Sequence, residues 1–318
     1  MCEFSDLSNI KKEMYNIMKK LLLLLAVSVL VILMTFSASA GNKTQTIGGT
    51  KYTENENIKI IDGVVYKLSA DADKSKYDTS DIKDIYKITE EVIYPESYGD
   101  VLIGESAFEK STTLKSVTLP QKCGKITIEK AAFKNCKTLK AITFPKESGN
   151  ITIGKAAFYL CFGLEELTFP QKCGKMTIGT QGFQASDIQT LTFPKKSGTI
   201  NIGKYAFAIC TKLTKIKNTD NIEKYSAFAF ENCNSLTSVT ISAKTKTIAD
   251  FAFYECDSLK KVYVSGEKNA PKLYSASFAR PHKNFEIVAK NKAAAQAWKK
   301  AFKKADSGNT KVCYIQYA

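Results

Sequence analysis

The chain has 318 residues, 44% hydrophobic and 24% charged, with seven Pro and 17 Gly. That balance excludes a wholly disordered chain and a collagenous or Pro-rich one. Basic residues outnumber acidic ones, 46 to 31, for a net charge of +15, yet Arg280 is the sole arginine, His282 the sole histidine and Trp298 the sole tryptophan. One histidine excludes His-rich metal sites and the two-histidine zinc helix. The nine cysteines are too sparse for a small disulfide scaffold.

In chain order, Met18–Ala40 comes first. Lys19 and Lys20 precede sixteen nearly unbroken apolar residues, Leu21 to Phe36, and Ala38-Ser39-Ala40 fits a small-x-small cleavage site. This is the pattern of a secretory signal peptide. A membrane-spanning helix needs about 20 apolar residues, so cleavage after Ala40 is expected rather than an anchor. Residues 1–17 carry Glu3, Asp6 and Glu13, which points to a translation start at Met18. No Cys sits at the cleavage site to take a lipid. Removing residues 1–40 lowers the net charge from +15 to +14, and export places the chain where disulfides can persist. No further long apolar stretch follows.

The expected organisation is a signal peptide over 1–40, a polar segment with a capping unit over 41–100, repeats over 101–280, and a cap helix and strand over 281–318. Residues 41–57 are polar and expected to be mobile; residues 58–100 should close the first repeat. Phe108, Phe133, Phe158, Phe183, Phe207, Phe230, Phe253 and Phe278 then recur at intervals of 25, 25, 25, 24, 23, 23 and 25 residues. A Cys lies three residues after Phe at Cys136, Cys161, Cys210, Cys233 and Cys256, and a Leu or Ile follows. The L-x-x-[VIL]-x-[LFIV] spacing, as in Leu114, Val117 and Leu119, is that of a leucine-rich-repeat solenoid. No 25-residue unit can enclose its own apolar side chains; stacked units bury them in one column. The last two apolar positions lie two apart and should point inward from a strand, which Pro120, Pro145, Pro170 and Pro194 end. Apolar residues three and four apart in [IL]-G-x-x-A-F-x-x-C suggest one helical turn opposite that strand. I-T-I at 126–128 and 151–153 reads as an extra piece lengthening the early repeats.

The string I-G-x-x-A-F-x-x-C-x-x-L-x-x-[VI]-x-[LF]-P resembles the BspA-type leucine-rich repeats of bacterial surface proteins, over about residues 101–280. IDGVVYKL (61–68) and VIYPESYGDVLIGESAF (92–108) resemble the degenerate entry unit of such proteins. The resemblance implies an α/β leucine-rich-repeat solenoid, horseshoe-like, with parallel strands, short helical turns and capped ends. It implies adhesion without catalysis, with host matrix proteins or other bacterial surfaces as partners. Two places depart from the pattern. Ser186 replaces Cys in a unit one residue short, and around 217–228 no Pro follows the strand while Asn218 takes an inward position, predicting a kink or loosened stacking.

Near the end, Asn291–Ala305 reads as a helix with Ala294, Ala297, Trp298, Ala301, Phe302 and Ala305 on one face. It is expected to cap the last repeat, against the alternative of a basic membrane or heparin helix. VCYIQYA (312–318) should form a short strand.

The cysteine column is expected to be buried, reduced thiols serving as small apolar fillers. Cys123 and Cys173, two units apart, are too distant to pair, and Cys313 has no evident partner. His282 reads as a loop residue. Glu165 and Glu166 are adjacent on a strand and diverge. A thiol hydrolase pairing a Cys with His282 is the weakest reading, and neither a cofactor nor a metal is expected.

The binding candidates lie outside the core. Thr118, Thr143, Thr168, Thr192, Lys217, Thr240 and Tyr263 form one outward column on the strands. Ser116, Ala141, Glu166, Thr190, Lys215, Ser238 and Lys261 form another. Thr on a parallel sheet stabilises it, and the same columns would offer a hydroxyl-lined face ending in Lys215, Lys217, Lys261 and Tyr263. That face suits extracellular or cell-surface proteins. On the loop edge, Lys122, Lys146, Lys172, Lys195 and Lys196 would stack into a cationic ridge for anionic glycans or envelope polymers, with Lys130, Lys155 and Lys204 also recurring. The scarcity of Arg and the export signal argue against nucleic acid, and no membrane span is expected after signal cleavage.

Overall fold

The computed structural model describes residues 43–47, 49–274, 276–278, 282, 284–305 and 315–317. The expected signal peptide, Arg280 and Cys313 lie outside them. Two compact units, Met1–Lys43 and Thr44–Ala318, make up the chain, and every repeat falls in the second.

The polar stretch expected to be mobile instead forms an antiparallel hairpin, β1 (Thr44–Ile47) with β2 (Thr50–Thr53). Its β-branched residues suit strands, and Gly49, at φ 79, sits in the turn. A second hairpin joins β3 (Ile58–Ile61) to β4 (Val64–Leu68). Asp62 (φ 50) and Gly63 (φ 74) turn it, the Asp-Gly pair that two-residue hairpins favour. Helix α1 (Ile82–Ile88) follows, its start capped by Asp81 accepting from the Lys83 amide. β5 (Thr89–Ile93) then pairs antiparallel with β4 and parallel with the first repeat strand.

From there each coil contributes two short strands, one to each of two walls. One wall is a continuous parallel sheet of β6 (Val101–Ile103), β8 (Ile126–Ile128), β10 (Ile151–Ile153), β12 (Met176–Ile178), β14 (Ile200–Ile202), β16 (Ile222–Tyr225), β18 (Thr247–Ile248) and β20 (Lys272–Leu273). The I-T-I segment is therefore not an insertion into the early repeats. Every coil has this strand, and the later ones spell it differently.

The other wall carries the L-x-x-[VIL]-x-[LFIV] strands and falls into three pieces. β5, β7 (Ser116–Thr118) and β9 (Ala141–Thr143) form the first; β11 (Glu166–Thr168), β13 (Thr190–Thr192) and β15 (Lys215–Lys217) the second. β17 (Ser238–Ile241), β19 (Lys261–Val264), β21 (Glu286–Ala289) and β22 (Ile315–Tyr317) form the third. The break after β15 falls where Asn218 was expected to disturb stacking. Asn218 takes φ 59 and spends its side-chain amide on the Phe193 carbonyl, 2.9 Å away, while the Thr219 hydroxyl donates to the Thr240 carbonyl at 2.7 Å. The break between β9 and β11 has no such forewarning.

The Phe-centred corners are not helical turns. From Phe108 to Phe253, residues two before and two after each column Phe lie in the left-handed region, as at Ala131 (φ 56) and Asn135 (φ 62) around Phe133, and at Tyr205 (φ 57) and Ile209 (φ 60) around Phe207. A right-handed helix cannot contain them. Alternate amides point along the stack instead: those of Ser106, Phe108 and Lys110 bond the carbonyls of Lys130, Ala132 and Lys134 in the next coil. The glycine of I-G-x-x-A-F marks close approach, since a Cβ on Gly154 would stand 2.6 Å from the Glu129 carbonyl carbon.

This ladder stacks the eight Phe rings in one buried column, neighbours 4.8–5.4 Å apart and within 18° of parallel. Other aromatics close both ends. Tyr86 meets Phe108 at 4.5 Å, and Phe302 meets Phe278 at 5.7 Å. Phe302 belongs to α2 (Lys292–Ala305), which buries Ala294, Trp298 and Phe302 against the last coil. The result is one contiguous core from Val64 to Phe302, the leucine-rich-repeat solenoid expected from the repeat.

Candidate binding surfaces

The cysteine column does more than fill space. The thiols of Cys136, Cys161, Cys210, Cys233 and Cys256 each donate to the carbonyl of a Phe in the preceding coil: Phe108, Phe133, Phe183, Phe207 and Phe230, at 2.8–3.2 Å. Ser186, the apparent exception, donates its hydroxyl to the Phe158 carbonyl at 2.9 Å. The position requires a small donor, which Cys and Ser both supply. Burial pushes up the thiols of Cys136, Cys161, Cys210 and Cys233, to about 12 at Cys136 and Cys210, opposite to the shift a nucleophilic thiol needs. Cys173, at the loop edge, is pushed up to about 11 by burial, and Cys123 is raised for the same reason. His282 uses Nδ1 to accept from the Asn284 amide at 3.0 Å, closing its own turn. Among the described residues no cluster of three or more His, Cys, Asp or Glu could hold a metal, and no helix is long and apolar enough to cross a membrane.

The outward strand column is real but segmented. Thr118 pairs with Thr143; Thr168 pairs with Thr192 and that with Lys217; Thr240 pairs with Tyr263. Thr143, Thr168, Lys215, Lys217, Lys261 and Tyr263 are exposed, and Thr118, Thr192 and Thr240 half-buried. Lys215 and Lys217 do not join Lys261 and Tyr263 in one patch, because β17 stands between them across a break in the wall. The break between β9 and β11 instead opens a groove of about 1080 Å³, lined by Thr143, Thr168, Lys115, Lys140, Glu165 and Glu166 among others. Phe162, 41% exposed, stands in the same coil with the Lys137 ammonium 5.9 Å from its ring centre. The sequence offers no local signal for this groove, since the repeat runs regularly through it.

The opposite wall has an outward column that sequence reading missed. Thr127, Thr152, Thr177, Asn201, Lys224, Thr247 and Lys272 pair from coil to coil, with one register shift between β14 and β16. The middle letter of each I-T-I was the available signal.

The loop edge is not a uniform cationic ridge. Its register runs Lys122, Glu147, Lys172, Lys196. Lys146 and Lys195 each stand one residue before the position in register, and Lys172 pairs with Glu147 at 3.0 Å. Elsewhere, too, a Lys meets an acid of the preceding coil: Lys130 with Glu105 at 2.5 Å, Lys134 with Glu109 at 2.9 Å, Lys212 with Asp187 at 2.7 Å. Repetition stacks opposite charges as readily as like ones, and local pairing neutralises individual lysines along this edge.

Comparison with a family profile agrees with the repeat. A profile of the BspA type leucine-rich repeat region matches residues 101–200 and 176–306, in six copies. Among solved structures, the chain is similar to a leucine-rich repeat protein from Bacteroides ovatus, with 20% identity and a TM-score of 0.49 over 73% of this chain. It spans 65% of that protein's length. It is also similar to the T. pallidum leucine-rich repeat protein TpLRR, with 18% identity and a TM-score of 0.38 over 72% of this chain and 86% of the other. A third is a leucine-rich cell surface protein from Faecalibacterium prausnitzii, at 14% identity and a TM-score of 0.27, covering 86% of this chain and all of the other. No curated protein sequence matches.

Proposed function

Because the chain belongs to the BspA-type leucine-rich-repeat family, whose repeats are general protein-interaction scaffolds, we propose that it is an exported or surface-associated, adhesin-like binder of extracellular proteins that works without catalysis. The groove at the β9–β11 break carries this reading. It sets Lys115 and Lys140 beside Glu165 and Glu166, with Thr143 and Thr168 in the same groove. Mixed charge with hydroxyls suits a folded protein surface, which presents both signs, better than a polyanion. The outward columns on either side supply further modest polar contacts on a rigid repeated surface.

The test is retention of matrix or cell-surface proteins by residues 41–318, at low and high salt, with Thr143→Arg/Thr168→Arg as the blocked variant. Retention should survive high salt and be lost in the variant. Retention that vanishes with salt, or persists in the variant, contradicts the reading.

A further inference from the structure

We propose a second binding site on this chain, for an acidic oligosaccharide, in a groove between the loop edge of the last coils and α2. It is separate from the groove at the β9–β11 break and begins just after Lys196, where the expected lysine ridge ends. The loops preceding β14, β16, β18 and β20 form one bank and the Ala297–Ala301 stretch of α2 the other, enclosing about 940 Å³. Lys244, Lys246, Lys268 and Lys300 converge on it, against the single carboxylate of Glu223. Glu223 is taken by Lys246 in a close ion pair. Among the described residues no carboxylate pairs with Lys244, Lys268 or Lys300, in contrast to the lysines matched with an acid along the earlier coils.

The groove also holds one ammonium in place. The Lys244 Nζ donates to the Oδ1 of Asn221 at 2.6 Å, and Asn221 is itself only 8% exposed. Nearby, the buried Thr245 hydroxyl donates to the Ile222 carbonyl at 2.8 Å. An ammonium fixed on a buried amide keeps two further N–H groups for a ligand.

The chemistry of the lining selects the ligand class. Thr199 and Asn269 share the lining with the ammonium groups, fitting a chain that bears hydroxyls between its carboxylates or sulfates. Ala243, Pro271 and Ala301 offer small apolar patches for sugar C–H faces. Among the described residues no aromatic lines the groove to stack a base. The strands behind it are already paired on both sides from β8 to β18, leaving little free edge for a peptide strand.

Titration calorimetry of the full chain with a de-esterified galacturonate oligomer, and with its methyl-esterified neutral counterpart, tests the assignment. The acidic oligomer should bind, weaken several-fold with added salt, and lose roughly tenfold or more in affinity in Lys244→Gln/Lys268→Gln/Lys300→Gln. The neutral oligomer should not bind. Lys122→Gln/Lys146→Gln should leave the affinity unchanged, and an unchanged urea midpoint certifies each variant as folded. Absence of binding, equal loss in the Lys122/Lys146 variant, or equal affinity for a poly-glutamate peptide would overturn the proposal.

Discussion

At the scale of single residues, the stack is held by groups that look interchangeable in sequence and are not. The carbonyls of Phe108, Phe133 and Phe207 also accept the amide three residues on, whereas that of Phe183 relies on the Cys210 thiol, and an unpaired buried carbonyl costs about 1–3 kcal/mol. Cys and Ser meet that need where Ala would not, which is why Ser186 sits in a Cys column without disturbing it. Thiols differ from hydroxyls in titrating. A free thiol ionises near pH 8.5, whereas burial holds Cys136 and Cys210 to about 12. Below pH 8 both folded and unfolded chains keep these protons, and the column contributes fully. As pH rises from there towards 12, the unfolded chain releases them and the folded chain does not, so stability falls. Urea unfolding should therefore show stability declining from pH 8 to pH 10, with a shallower decline in Cys136→Ser/Cys210→Ser. At pH 7.5 that variant should lie within about 1 kcal/mol of the parent, whereas Cys210→Ala should lose about 1–3 kcal/mol. Equal slopes in parent and double variant would show that the thiols do not govern the alkaline loss.

At the scale of the element, a period of three or four residues around Phe is shared by a helical turn and by two successive tight turns, and only backbone handedness separates them. The left-handed residues flanking each Phe are largely non-glycine, so the sequence carries no glycine signal there. The hint was Asn135 and Asn232, a residue type that tolerates positive φ. The same position in another coil is Ile209, β-branched, at φ 60 and 44% exposed. An exposed β-branched residue in that region carries strain with little burial in return. Ile209→Asn should thus stabilise the chain by about 0.5–1 kcal/mol, read as a higher urea midpoint at unchanged slope. Ile209→Val should bring no such gain, and a destabilised Asn variant would mean that Ile209 packs more than its exposure indicates. Strand composition was similarly half legible. I-T-I announced itself in the early coils, but Ile222–Tyr225 and Lys272–Leu273 share its place without its spelling. The loop edge failed for a related reason: a one-residue offset put Glu147, not Lys146, in register with Lys122 and Lys172.

At the scale of the whole molecule, the inward pattern was legible because every coil repeats it, whereas the candidate sites arise where repetition lapses. The groove between β9 and β11 comes from missing strand pairing, and the lysine groove from loops meeting a helix that is distant in sequence. Neither leaves a local motif. Repetition also makes stability one-dimensional, each coil resting on its neighbours. The C-terminal end rests on Phe302, which covers Phe278 from α2, and on Trp298, which packs on Phe302 and is 1% exposed. Trp298→Ala removes a large buried side chain, costing about 3–5 kcal/mol where it acts. In a solenoid that cost is borne first by the coils beside it. Hydrogen exchange should accelerate in β19 and β21 of the variant while β8 and β10 keep their protection. Equal acceleration from β8 to β21 would instead mean that the coils unfold as a single cooperative block, with α2 acting as a keystone for the whole stack rather than a cover for its last turn.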